Sequence, residues 1–125
     1  MMGTACSPLM VLVDDDPALL SAMSFAFETE GYDVAAYGDA ESFLARPPGP
    51  ASCFVLDVNL PGLSGLALLE RLRLMGEKAP AVMITTHPSA VTKVRARAAR
   101  AEILEKPLMD DALLRKVDEL VPRQI

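Results

Sequence analysis

The sequence is poor in cysteine, positive charge and long apolar runs, and each shortage removes a class of function. Its two cysteines, Cys6 and Cys53, lack the spacing of a metal site, so we expect a thiol near the terminus and a small buried side chain. Twelve basic residues against seventeen acidic ones give a net charge of −5, which disfavours non-specific binding to nucleic acid or anionic membranes. No apolar run approaches the ~18 residues of a membrane span, and residues 1–8 lack the basic region of a signal peptide. The composition therefore predicts a soluble, cytoplasmic protein that meets its partners through a local patch.

The length and apolar content predict one domain. A chain of 125 residues, 51% of them hydrophobic, fits a single core of common domain size. We find neither an internal repeat nor a low-complexity segment. We therefore expect a single domain over residues 1–125, with short tails at about 1–7 and 121–125.

Short apolar runs alternate with stretches of helical periodicity. Such runs, without polar alternation, are typical of strands buried on both faces. They lie at residues 9–13, 34–37, 54–56, 81–84 and 103–104. Strict alternation of this kind predicts an α/β fold, a mostly parallel sheet covered by helices on both faces. With five strands and five helices, we expect the doubly wound, flavodoxin-like strand order 2-1-3-4-5, with ligands bound beyond the carboxyl ends of strands 1 and 3.

Several helix boundaries can also be predicted. Asp16 is a suitable N-cap for the first helix, with Pro17 at its first position, and Asp39 suits the start of a short second helix. The third helix is predicted from about Leu66 to Met75. The spacing of the next helix favours Val91, Val94 and Ala98 on its inward face, and the last helix is expected to begin near Asp110 or Asp111.

Polar side chains follow the predicted strands at their carboxyl ends. Asp14 and Asp15 end strand 1, and Asp57, Thr85 and Lys106 end strands 3, 4 and 5. Because parallel strands end at the same edge, we expect these residues to form one site. Three carboxylates in one crevice repel one another unless a hard divalent cation is present, and oxygen ligands suit Mg²⁺ or Mn²⁺.

The charges of this site match a phosphoryl group. Three carboxylates, one divalent ion and Lys106 sum to zero, so the site can accept a dianionic phosphoryl group. Thr85 can supply a neutral donor. Asp57 stands alone at the end of the central strand, and we interpret it as the nucleophile that carries an acyl phosphate.

Four motifs in register at the strand ends resemble the receiver domain of bacterial two-component response regulators. The resemblance covers essentially the whole chain. The motifs are Val13-Asp14-Asp15, residues 56–65, Ile84-Thr85-Thr86 and Glu105-Lys106-Pro107.

The resemblance implies roles for the acidic residues. Asp57 would be the phosphoacceptor, and a histidine kinase or phosphotransfer protein would supply the phosphoryl group. Asp15 and Asp57 would ligate Mg²⁺ directly, Asp14 would act through water, and the backbone carbonyl of Asn59 would be the third protein ligand.

It also implies roles around the phosphoryl group. Thr85 would move toward the phosphate and Lys106 would pair with it. The Lys106-Pro107 peptide would be cis, which is physically plausible because proline follows the bond. Thr86 stands beside the phosphoryl path where a small residue is usual, so its larger side chain is expected to slow access.

Departures from the family pattern lie after Thr85 and concern the output. Ile103 stands where receivers usually carry an aromatic residue whose rotation reports phosphorylation, Ala99-Arg100 replaces Gly-Ala, and Leu108 replaces Phe. His87, the sole histidine, lies where family members influence the attack of water on the acyl phosphate; the alternative is a helix-start residue without chemistry.

Charged residues after the fourth strand suggest a partner surface. A basic stripe on the fourth helix precedes an acidic cluster on the fifth strand and helix. The stripe is Lys93, Arg97 and Arg100, and the cluster is Glu105, Asp110, Asp111, Asp118 and Glu119. These charges could pair across a two-fold axis in a homodimer, or they could be solvated and paired within the chain.

We therefore predict a signalling domain, phosphorylated on Asp57, that turns over no external substrate. Two other functions remain open: a hydrolase that forms an aspartyl phosphate, and a binding scaffold with the receiver fold and a decayed switch. An FMN-binding flavodoxin is disfavoured because the acidic strand ends would repel the FMN phosphate.

Overall fold

The computed structural model describes residues 7–108 and 111–121, and in them five strands alternate with five helices. The strands are β1 (Leu9–Val13), β2 (Asp33–Tyr37), β3 (Cys53–Asp57), β4 (Ala81–Thr85) and β5 (Ala101–Glu105). The helices are α1 (Pro17–Thr29), α2 (Ala40–Ala45), α3 (Gly65–Leu74), α4 (Ala90–Ala98) and α5 (Ala112–Leu120). The predicted alternation is confirmed. Cys6 and Asp110 lie outside the described residues.

All strand pairs are parallel, and the order β2-β1-β3-β4-β5 confirms the predicted topology. Successive residues of a strand face opposite sides of the sheet. Val11 and Leu56 accordingly pack in a cluster with α2 and α3, whereas Leu12 and Val55 pack in a second cluster with α1 and α5. Strands buried on both faces explain the continuous apolar runs of the sequence.

Polar caps start most of the helices just beyond the carboxyl edge of the sheet. Asp16 Oδ1 accepts hydrogen bonds from the amides of Ala18 and Leu19, and Pro17 occupies the first turn of α1. Asp39 caps α2 in the same way, through the amide of Ser42. Both predicted caps are therefore confirmed.

The burial of Cys53 and the lengths of the helices bear on two expectations from the sequence. Cys53 is fully buried, and burial raises the pKa of its thiol to about 12, so it behaves as a small apolar side chain. Among the described residues, no helix is both long enough and apolar enough to cross a membrane.

The predicted inward face of α4 is wrong. Val91 and Val94 are 66% and 68% exposed and Ala98 is also exposed, whereas Ala96 is the buried residue of the helix. Ala96 packs in the core cluster with residues of α3, and on the exposed side Arg95 Nε donates to Glu70 Oε2 over 2.9 Å. The spacing of apolar residues shows which of them share a helix face, but it does not show what that face packs against.

Arg73 fixes the end of the same helix. Its Nε donates to the carbonyl of Ala99 over 2.8 Å, and its Nη1 donates to the carbonyls of Glu77 and Ala79. Beyond Arg73, Leu74 and Met75 are exposed, so the apolar face predicted for α3 ends one turn early. Side-chain hydrogen bonds therefore join α4 to α3 in addition to the apolar packing of Ala96 and Ala99.

This rotation of α4 predicts opposite responses at neighbouring positions. Val94→Ser should leave the free energy of unfolding within about 0.5 kcal/mol of the wild type, because the side chain is exposed. Ala96→Leu should destabilise the domain by about 1–3 kcal/mol through overpacking. Urea unfolding of both variants is the measurement, and a larger loss in Val94→Ser than in Ala96→Leu would contradict the described orientation.

Candidate phosphoryl and metal site

Three carboxylates meet where β1 and β3 end. Asp14 and Asp15 follow β1, and Asp57 is the last residue of β3. One carboxylate oxygen from each lies within 4.8 Å of the others. Asp14 and Asp57 are 0% and 3% exposed, whereas Asp15 is exposed. The parallel register of β1 and β3 therefore brings residues more than forty positions apart into one acidic group.

Each buried carboxylate has one oxygen held by the backbone. Asp14 Oδ1 accepts from the amide of Asp16, and Asp57 Oδ1 accepts from the amide of Asn59, both over 2.9 Å. Asp57 Oδ2 accepts from Lys106 Nζ over 3.0 Å. The same Nζ lies 3.5 Å from Asp14 Oδ2, yet that oxygen accepts no hydrogen bond from any described residue. Asp14 thus presents a buried oxygen that still lacks a hydrogen-bond donor.

The pKa shifts of Asp14 and Lys106 show that negative charge exceeds positive charge in this site. Burial raises the pKa of Asp14 and the charge of Asp57 raises it further, while the amide of Asp16 and the ammonium group of Lys106 only partly oppose this. Burial alone would lower the pKa of Lys106, but its hydrogen bond to Asp57 and the charges of Asp14 and Asp57 raise it. Lys106 therefore stays protonated, and its ammonium group contacts the carboxylates of Asp14 and Asp57.

These residues fit a hard divalent cation. All the donors are oxygens, one of them is the buried Asp14 Oδ2 without a hydrogen bond, and Asp15 adds an exposed carboxylate. Mg²⁺ prefers such oxygen ligands and keeps several waters, which the exposed side of the cluster permits. The carbonyl of Asn59 as a further ligand stays a prediction.

Thr85 and Lys106 also lie at this edge. Thr85 is 3% exposed, and its carbonyl accepts from the amide of Lys106 over 2.7 Å. Its hydroxyl accepts from Asn59 Nδ2 over 3.3 Å and donates to the carbonyl of Thr86 over 3.2 Å. The Lys106-Pro107 peptide is cis, as the resemblance implied. The five predicted strand-end residues are thus together.

The residues after Thr85 are more open. Thr86 and His87 are both exposed, and His87 adopts a left-handed backbone with φ 50°. Such a φ is uncommon for a residue other than glycine and often accompanies functional loops. Both side chains are thus open to solvent in the residues that follow β4, and their roles stay predictions.

Two supports of the site escaped the sequence reasoning. A Cβ built on Gly65 would lie 2.0 Å from the carbonyl oxygen of Asp57, so only glycine fits there. Its place in the turn after β3 was the available signal. Glu41 Oε2 accepts from the amide of Leu63 over 2.9 Å and ties α2 to the loop after β3. No local pattern could reveal a partner twenty-two residues away.

The second predicted constellation surrounds a cleft between α4 and β5. Lys93, Arg97 and Arg100 line this cleft of about 620 Å³ with Glu102, Glu105 and the half-buried Ile103. Over residues 7–108 and 111–121, no carboxylate lies within ion-pair distance of the three cations. The basic stripe therefore faces solvent.

The acidic cluster is largely paired inside the chain. Asp111 pairs with Arg115 on α5, and Asp118 accepts from the hydroxyl of Tyr32 over 2.8 Å. Lys116 Nζ lies 3.4 Å from Glu119 and 3.5 Å from Glu102. These contacts fit the intramolecular alternative for the acidic residues and leave the basic stripe as the open part of this surface.

Comparison with known proteins identifies the family. The sequence model of the response regulator receiver domain family matches residues 10–118, and the chain belongs to this family. It is 32% identical over 112 residues to the transcriptional regulatory protein FixJ of Bradyrhizobium diazoefficiens, covering 88% of this chain and 55% of that protein. It is 32% identical over 123 residues to the response regulator protein TodT of Pseudomonas putida, covering 93% and 53%. The chain thus spans about half the length of these relatives.

Solved structures agree with this assignment. A CheY-like response regulator receiver domain from Methanospirillum hungatei matches with a TM-score of 0.85 and 28% identity, covering 91% of this chain and 93% of that one. The chemotaxis protein CheY4 of Vibrio cholerae matches with a TM-score of 0.85 at 24% identity, covering 93% and 100%, and shows the fold. The chain is a receiver domain of two-component signalling.

The raised pKa of Asp14 predicts a stabilising substitution. The folded protein holds this proton more tightly than the unfolded chain, so ionised Asp14 lowers stability as the pH rises above roughly 4. Asp14→Asn should therefore raise the melting temperature in EDTA at pH 7, by roughly 4 °C for each kcal/mol gained. The gain should shrink toward pH 4.

Asp16→Asn is the matched control, because asparagine also caps helices and Asp16 is exposed. Thermal unfolding from pH 4 to 8 provides the comparison. An equal gain in both variants, or none in Asp14→Asn, would contradict the cost assigned to the buried charge.

The close approach of Gly65 to the backbone of Asp57 predicts a steric clash when Gly65 is replaced. Gly65→Ala should destabilise the domain by about 3 kcal/mol, at the upper end of overpacking, because the clash is with backbone. Gly49→Ala is the control, since nothing lies within 4 Å of its Cβ position. If urea unfolding finds Gly65→Ala as stable as Gly49→Ala, the close approach of Gly65 to Asp57 is wrong.

Proposed function

We propose that Asp57 accepts a phosphoryl group from a histidine kinase or phosphotransfer protein, in the cytoplasm. The observation that supports this most directly is the position of Asp57 itself. Asp57 is buried, and one of its carboxylate oxygens accepts a hydrogen bond from Lys106 Nζ. A carboxylate oxygen of Asp57 also lies within 4.8 Å of oxygens of two further carboxylates. A phosphoryl acceptor gives this costly arrangement a use.

In the proposed step, a carboxylate oxygen of Asp57 attacks the phosphorus of a phosphohistidine. The O–P bond forms, the N–P bond breaks, and its electron pair returns to the imidazole nitrogen. The product is an acyl phosphate on Asp57. Water later cleaves it to regenerate the carboxylate and release inorganic phosphate.

Asp15 and Asp57 would hold Mg²⁺ or Mn²⁺ directly, Asp14 through a water, and Asn59 through its backbone carbonyl. The ion would supply positive charge for the oxygens of the transferring group. Asp14 supports this proposal because its Oδ2 is buried without a hydrogen bond from any described residue.

Lys106 and Thr85 would bind the phosphoryl oxygens. Lys106 already contacts Asp57 and would exchange part of that contact for the phosphoryl group, and Pro107 helps to place it. Thr85 would donate its hydroxyl proton. Thr86 and His87, both exposed beside the path to Asp57, would influence the entry of the donor and of water.

Phosphorylation would then change the surface formed by α4, β5 and α5 and thereby control an output partner. Ile103 at the cleft would take the place of an aromatic switch residue. The chain spans only 55% of the length of FixJ, a relative named as a transcriptional regulatory protein, which supports an output of that kind. A homodimer through this face would need the basic stripe of one copy to meet acidic residues of the other, and the domain would turn over no external substrate.

Phosphorylation of a single aspartate can be tested directly. With Mg²⁺ and acetyl phosphate, the wild type should gain one phosphoryl group, and with beryllofluoride its amide spectrum should change around Asp57 and α4. Asp57→Asn should do neither. Asp33→Asn, at the opposite edge of the sheet, should behave as the wild type. Equal responses of the wild type and Asp57→Asn would disprove the assignment.

A further inference from the structure

The hydroxyl of Thr85 is fully engaged in this structure. It donates to the carbonyl of Thr86 over 3.2 Å and accepts from Asn59 Nδ2 over 3.3 Å. A hydroxyl carries a single proton, so Thr85 has none left for another acceptor. To bind a phosphoryl oxygen, the hydroxyl must first leave the carbonyl of Thr86.

The backbone around Thr85 is held on both sides. Its carbonyl accepts from the amide of Lys106 over 2.7 Å, and the carbonyl of Ile84 accepts from the amide of Val58 over 3.0 Å. The end of β4 is therefore tied to β5 and to the loop after β3. With these backbone bonds kept, rotation of the side chain between staggered positions is the movement that carries the hydroxyl oxygen to a new place.

Asn59 connects this hydroxyl to the phosphoacceptor. Its backbone amide donates to Asp57 Oδ1 over 2.9 Å, and its side-chain amide donates to Thr85. Because the proton of Thr85 is used on Thr86, the facing group must be a donor, which only the nitrogen of the Asn59 amide supplies. Rotation of Thr85 would break this bond.

We propose that the side-chain amide of Asn59 is a positioning residue that holds Thr85 in its resting orientation and so opposes the switch. The proposal rests on the proposed function, since it concerns how phosphorylation of Asp57 reaches Thr85. Asn59 itself touches neither the transferred group nor the donor in this role. It acts through Thr85.

Removal of the amide should make the activated state easier to reach. Asn59→Ala keeps the backbone carbonyl and removes the bond to Thr85, so beryllofluoride should bind about three- to tenfold more tightly at saturating Mg²⁺, the range for one net hydrogen bond. In a Thr85→Val background, where no hydroxyl remains, Asn59→Ala should change this affinity by less than about twofold.

Ser64→Ala is the matched control. Ser64 caps α3 through the amide of Ala67 and lies in the same loop as Asn59, with no hydrogen bond to Asp57 or Thr85 among the described residues. Its beryllofluoride affinity should equal that of the wild type. Mg²⁺ affinity is measured for every variant, so that saturation is reached in each.

The orientation of Thr85 provides a readout that a purely structural role would not move. The ¹³C shift of its methyl group reports side-chain rotation. Without beryllofluoride, this shift in Asn59→Ala should move from the wild-type value toward the value of the beryllofluoride-bound wild type. In Ser64→Ala it should stay at the wild-type value.

The outcomes separate this inference from the function on which it rests. If the wild type binds beryllofluoride and Asp57→Asn does not, but Asn59→Ala binds as the wild type does, the role of Asn59 is wrong and the phosphoacceptor assignment stands. The role of Asn59 is also wrong if Asn59→Ala raises the beryllofluoride affinity equally in the wild-type and Thr85→Val backgrounds. If the wild type itself fails to bind beryllofluoride, the proposed function fails first.

Discussion

The repulsion among three carboxylates at one edge of the sheet is the constraint on which this domain is built. Asp14 and Asp57 are buried there, Asp15 stands beside them, and Lys106 is the cation in contact with the buried pair. Folding alone gives no reason for such crowding, since an apolar residue or an amide at position 14 would avoid the cost of burying its charge. This surplus negative charge, carried by oxygen atoms, fits a hard divalent cation at the edge of the sheet.

The fold makes this arrangement possible through its strand ends. Parallel strands bring their last residues to one edge, and the loops that follow start helices there. Backbone amides of Asp16 and Asn59 hold one oxygen of each buried carboxylate, while Gly65 permits the close approach of α3 to Asp57. Local backbone geometry therefore fixes the acids, and the side chain of Lys106 links them.

Residues at strand ends were predictable because sequence order and parallel topology together fix them. Asp57 and Lys106 follow apolar runs, and the strand order of the sheet converts those places into neighbours. The orientation of α4 was not predictable, since Val91 and Val94 have helical spacing yet are exposed, whereas Ala96 packs in the core.

Long-range polar contacts were the other feature that the sequence could not predict. The bonds from Glu41 to Leu63 and from Asn59 to Thr85 join distant residues and leave no periodic trace. They nevertheless decide how the loop after β3 and the hydroxyl of Thr85 are held. Sequence patterns thus predicted which groups lie together at the strand ends, and the side-chain contacts show how those groups are oriented.

Chemical trapping of the phosphorylated residue tests the central claim most directly. The protein is incubated with acetyl phosphate, with Mg²⁺ or with EDTA, then reduced with borohydride, which converts an aspartyl phosphate to homoserine, and digested for mass spectrometry. We expect homoserine at position 57 in the Mg²⁺ sample alone. Homoserine at Asp14 or Asp15 instead, or equal labelling in EDTA, would contradict a metal-dependent phosphoacceptor at Asp57.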